Sequence, residues 1–130
     1  MTPDLIVLAL AALLAIVQLF LFALPANLEL GVKYTAGPRD DPMAGLRTTT
    51  ARLKRAYENF LETLPLFAIA VIVTHVTEQA DGATAAASWA YLAARVLYIP
   101  AYLSGVFMLR SAIWGVSLLA IVVILIRALL

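Results

Sequence analysis

Apolar residues fill four stretches of the chain, about 5–24, 51–76, 84–107 and 110–129, and polar residues crowd into the gaps between them. The first stretch, Leu5 to Leu24, carries Gln18 as its only polar side chain and is long enough for one bilayer crossing. A cleaved leader is the competing reading. Asp4 stands where a leader would have Lys or Arg, and the apolar run exceeds a usual leader core, so the segment reads as a helix of the protein. A polar connector over 25–50 follows, with Pro25, Gly31, Gly37, Pro38, Pro42 and Gly45 favouring turns. Thr48, Thr49 and Thr50 are placed to cap a second helix over 51–76. Pro65 and Pro100 predict bends in the second and third helices. The short connector at Met108 and Leu109 makes the third and fourth spans antiparallel neighbours.

Two polar ladders interrupt this apolar frame. Arg52, Arg55, Asn59 and Glu62 recur at intervals of three and four, which places them on one stripe of a helix. Arg95, Tyr98 and Tyr102 form a second stripe on the third span. Polar and charged groups inside hydrocarbon cost several kcal/mol unless partnered, which makes each ladder a candidate site.

Composition fixes the class. Of 130 residues, 64% are hydrophobic, above the roughly half of a soluble domain, and the mean hydropathy is +0.97. The predicted fold is an all-α integral membrane protein, residues 1–130 forming a single four-helix bundle. With no cysteine, disulfides, thiolate nucleophiles and iron–sulfur ligation are excluded. The single His75 lacks partners at ligand spacing, so no metal site is expected, and a net charge of +1 gives no footing for nucleic acid.

Six of the nine basic residues, Lys33, Arg39, Arg47, Arg52, Lys54 and Arg55, lie in or beside the first connector. Arg110 lies at the third connector, and the second has none. The positive-inside rule then puts the first and third connectors in the cytoplasm and both termini on the opposite side, with Arg127 a lone exception. At 1.5 Å per residue, Arg55, Asn59 and Glu62 descend about 5, 10 and 15 Å below Arg52. Counted from Phe107, Tyr102, Tyr98 and Arg95 lie about 7, 13 and 18 Å deep. The levels overlap, so Glu62 and Arg95 are expected as a buried pair, structural or functional. The cations nearer the cytoplasmic face outnumber the acids there and suit an anionic ligand. For Arg52 and Arg110 the plainer alternative is snorkelling to lipid headgroups. Trp89, Tyr91 and Trp114 read as interfacial anchors.

The run Arg55-Ala56-x-x-Asn59-x-x-Glu62-x-x-Pro65, followed by Ala94-Arg95-x-x-Tyr98-x-x-x-Tyr102 and then Arg110-Ser111, resembles the MAPEG superfamily, the membrane-associated proteins in eicosanoid and glutathione metabolism. Gly37-Pro38-Arg39-Asp40 is similar to a bacterial subgroup, which implies a bacterial inner membrane. The resemblance implies a homotrimer with glutathione as co-substrate at each subunit interface. Arg52, Arg55, Asn59, Glu62, Tyr98 and Tyr102 would bind the tripeptide, Glu62 through its amino group. Arg95 matches a buried arginine of the family's third helix. Arg110, with Ser111 beside it, would hold the thiol as thiolate, since a cation favours the charged form. The implied activity is that of a glutathione transferase or peroxidase acting on a hydrophobic small molecule dissolved in membrane lipid. Several eicosanoid-forming members end their first helix in paired arginines, where this chain has Ala26-Asn27-Leu28-Glu29.

Two other readings stay open. The same fold serves a non-catalytic lipid-binding or scaffold protein. A small four-helix drug transporter matches in size but would be expected to carry a carboxylate in its first helix, where only Gln18 is found. Leu103, Val106, Phe107, Ile113 and Trp114 could line a lipophile groove, or simply face lipid.

Overall fold

The computed structural model describes residues 2–31, 37–38 and 46–130. Among these the chain forms four α-helices: α1 (Pro3–Leu30), α2 (Thr48–Val76), α3 (Gly82–Ser104) and α4 (Leu109–Leu129). Lys33, Arg39, Asp40, Asp41, Pro42 and Gly45 of the first connector lie outside the described residues. Helices α1 and α4 each pack against both α2 and α3, and α2 packs against α3. The central pair is therefore α2 and α3, with α1 and α4 on its flanks.

Two of the helix starts, those of α1 and α3, have a local cause. Thr2 accepts the Leu5 N–H, and Pro3 opens α1 where its missing donor costs nothing. Asp81 and Thr84 form a reciprocal capping box at α3. The threonines expected to cap α2 are instead helical. Its cap residue is Arg47, which contributes no side-chain bond. Glu29, from the last turn of α1, accepts the Arg47 N–H and the Thr50 hydroxyl in their place.

Two ends differ from expectation. Helix α1 runs six residues past Leu24 and through Pro25, because an internal proline removes only one backbone bond and Ala26 is buried against the bundle. Helix α3 stops at Ser104 instead of 107, where Gly105 turns left-handed (φ +67°). Residues 105–108 form the link to α4, and Met108 (φ +65°) also adopts the left-handed form that side chains resist.

Three helices, α1, α2 and α4, are long and apolar enough to cross a membrane. Helix α3 has the length, with 23 residues, but no stretch of it is as uniformly apolar as the best stretch of each of the other three. Its polar groups point inward. Thr84, Ser88, Tyr91, Arg95 and Tyr98 are buried, whereas Trp89, Val96 and Leu97 are exposed. A helix that hides its polar side and shows its apolar side is built for a hydrocarbon surround. The exposed apolar residues of α1 (Leu13, Ile16, Val17, Phe20) and α4 (Val116, Leu119, Val122) continue the same surface.

The core joins Val7 and Ala11 of α1 with Phe60, Phe67, Ala70 and Val71 of α2, Tyr91 of α3 and Ile121 and Ile124 of α4. Tyr91 is thus no interfacial anchor. It is fully buried, stacked on Phe67 at 4.1 Å, with its hydroxyl 2.9 Å from that of Thr63. At the end of the bundle away from the α1–α2 connector, Arg127 of α4 pairs with Asp81 at the start of α3.

A polar relay at the connector end

All the ladder residues except Arg52 and Glu62 join into one chain of contacts. Asn59 Oδ1 accepts from Arg95 Nη2 at 2.9 Å. The Arg95 guanidinium lies 4.2 Å over the Tyr98 ring, and Ser117 Oγ of α4 stands 3.5 Å from Nη1. Tyr98 meets Tyr102 edge to face at 5.7 Å. Tyr102 is bracketed by cations, its hydroxyl accepting from Arg55 Nε at 3.1 Å and its face lying 5.0 Å beneath Arg110. Cation–π contacts of this kind hold a guanidinium without neutralising it.

Arg52 has a different task. Its Nη1 donates to the Leu103 carbonyl at 2.9 Å, satisfying one of the orphan carbonyls at the end of α3. The same guanidinium lies against Gly105, where an added Cβ would sit 3.2 Å from Nη1. A side chain here would make Arg52 give by a few tenths of an ångström, and the positive φ independently favours glycine.

These contacts frame a cavity of about 300 Å³ at the α3–α4 link. Arg52, Tyr102, Arg110 and Ser111 supply its polar wall, and Val106, Phe107 and Met108 its apolar one. Of the site residues expected from sequence, those four line the cavity directly. Arg55 adjoins it through Tyr102. The buried Tyr98 lies deeper, behind Tyr102, and Asn59 is reached beyond it through Arg95. Of the apolar residues considered for a lipophile groove, Val106 and Phe107 line this cavity, whereas Leu103 contributes its carbonyl to Arg52.

One expectation fails. The ion pairs among the described residues are Lys54–Glu58 and Arg127–Asp81, and the pair expected between Glu62 and Arg95 is not formed. Because α3 ends at Ser104, Arg95 stands three residues nearer the connector end, about 4.5 Å higher and between the levels of Asn59 and Glu62, so depth alone does not choose its partner. Glu62 also lies off the buried face of α2, which runs through Ala56, Phe60, Thr63 and Phe67, and is exposed. Three participants escape sequence reading: Ser117, the second serine of α4, the Leu103 carbonyl, and Glu29. Only Ser117, seven residues beyond Arg110 and so on the same face of α4, had a signal in the spacing.

The fold and its inward-facing polar relay define an integral membrane helical bundle. A family model described as the MAPEG family matches residues 7–130, nearly the whole chain, and the protein belongs to that family. Neither the curated proteins nor the solved structures contain a match.

Proposed function

We propose that the protein is a glutathione-dependent transferase or peroxidase that works as a homotrimer on lipophilic substrates drawn from the membrane. The observation that carries this reading is that Arg52 and Arg110 line one cavity with Tyr102, and Arg55 adjoins it by its bond to that tyrosine, with no ion pair to any of the three among the described residues. Uncompensated guanidinium groups at a cavity mouth suit a ligand with two carboxylates.

The amide chemistry refines the pose. An arginine can only donate, so Asn59 turns its oxygen to Arg95 and keeps its NH2 for a ligand. Asn59 thus meets a carbonyl or carboxylate, and the exposed carboxylate of Glu62 takes the ammonium group. With glutathione so held, Arg110 stabilises the thiolate and Ser111 offers it a hydroxyl donor. On an electrophile, sulfur forms a bond to carbon as the leaving group departs with its electron pair. On a hydroperoxide, sulfur attacks the terminal oxygen and the O–O bond breaks. This yields an alcohol and a glutathione sulfenic acid, which a second glutathione converts to disulfide and water. Val106, Phe107 and Met108 give the lipophile an apolar wall. The orientation that fits has the α1–α2 and α3–α4 connectors in the cytoplasm, where glutathione is abundant.

The test is the thiolate absorbance of glutathione added to purified protein at neutral pH. Thiolate should appear with the wild type and be lost in Arg110→Ala, together with turnover of electrophiles or hydroperoxides. No thiolate and no turnover would overturn the enzymatic reading. Lipid binding unaltered in Arg110→Ala would then favour a non-catalytic lipid-binding role.

A further inference from the structure

The end of α1 bears an acid in the region where several eicosanoid-forming members have paired arginines, and the structure shows what that acid does. Glu29 Oε1 accepts the Arg47 N–H and Oε2 accepts the Thr50 hydroxyl, so one carboxylate holds the first turn of α2 from outside it. That turn has no acid of its own and no side-chain cap. A carboxylate at a helix N-terminus satisfies orphan donors and opposes the positive end of the helix dipole.

Thr50 stands two residues before Arg52 and five before Arg55. The first of these arginines fastens to the end of α3 and the second to Tyr102. A rigid helix carries any displacement of its first turn to both.

We infer that Glu29 is a positioning residue: by clamping the start of α2 to the end of α1, it sets where Arg52 and Arg55 stand at the cavity. It does not touch the ligand. Its side chain replaces a binding contribution from α1 with a structural one. This inference rests on the glutathione reading for its kinetic consequence, but not for its structural one.

The experiment has two arms. The chain contains no cysteine, so Leu28→Cys and Thr49→Cys carry one pair of spin labels per protomer on exposed sites either side of the clamp, assembled with an excess of unlabelled cysteine-free protein so that only the pair within one protomer is read. Glu29→Ala should lengthen and broaden the label-to-label distance in lipid nanodiscs. Glu29→Gln should keep it near wild type, since its amide still accepts from Arg47 and can donate to Thr50. In the kinetic arm, Glu29→Ala should raise the KM for glutathione about three- to ten-fold. The pKa of the bound thiol and kcat should move less than KM does, because Arg110 stands on α4 and feels Arg52 only through the α3–α4 link. Should Glu29→Ala fail to fold, Thr50→Val removes one of the two bonds and should shift KM in the same direction by less.

An unchanged label distance in Glu29→Ala overturns the inference. So does a Gln variant as impaired as the Ala variant, which would mark a role for the charge itself. If wild type turns over no glutathione, the proposed function fails, and the distance arm still decides the clamp.

Discussion

Arg95 brings a guanidinium into the middle of the bundle with 1% of its surface exposed and no acid paired to it among the described residues. Its charge is spread over the Tyr98 ring, the Phe60 ring 5.5 Å away, and the Asn59 oxygen. A hydrogen bond to a charged group is worth about 1.5–3 kcal/mol, and stranding a buried donor costs on the same scale. Asn59→Ala should therefore lower stability by about 1.5–3 kcal/mol in a detergent or denaturant titration. A loss under half a kcal/mol would mean that Arg95 finds another partner. The ladder spacings made these residues legible as a set. Which of them pair was not legible, because a shift of one helix turn exchanges Asn59 for Glu62 opposite Arg95.

At the scale of the element, the helices were readable and their ends were not. The apolar runs locate all four, since a period of 3.6 and a length near 20 residues leave little choice. Gly105 marks the end of α3 locally, but the brace on it is Arg52, fifty-one residues upstream of the carbonyl it binds, and the brace on the start of α2 is Glu29, eighteen before Arg47. Local spacing holds no trace of either. The start of α3 does have a local signal in Asp81 and Thr84, and it carries a pH dependence. The Thr84 N–H, then Arg127, hold the Asp81 carboxyl below its ordinary value of 3.8. A depressed folded pKa contributes stability above the unfolded value, and the contribution is lost as pH falls through the folded one. The advantage of wild type over Asp81→Asn, read from thermal unfolding, should thus be full at neutral pH and fade below about pH 4. A difference that stays constant to pH 2 would assign it to something other than ionisation.

For the whole molecule, the deciding fact is which side of α3 faces out. Its composition alone falls short of a membrane span, yet its exposed side is apolar and its polar side is enclosed by three other helices. A lysine near the centre of a spanning helix costs about 2.5–3.5 kcal/mol of insertion free energy. Val96→Lys, on the exposed side, should sharply reduce insertion of α3 as read by glycosylation mapping of engineered acceptor sites. Normal insertion would place α3 out of contact with lipid. The candidate site is likewise a property of the assembled bundle, because its cavity draws on α2, α3 and the link to α4.

Arg52 gives that dependence a practical edge. The bend that launches Arg110 is fastened from the first half of the sequence, so the α3–α4 hairpin is not a portable cassette. Grafted onto another scaffold or expressed as a fragment, it would keep its residues and lose the brace that aims them.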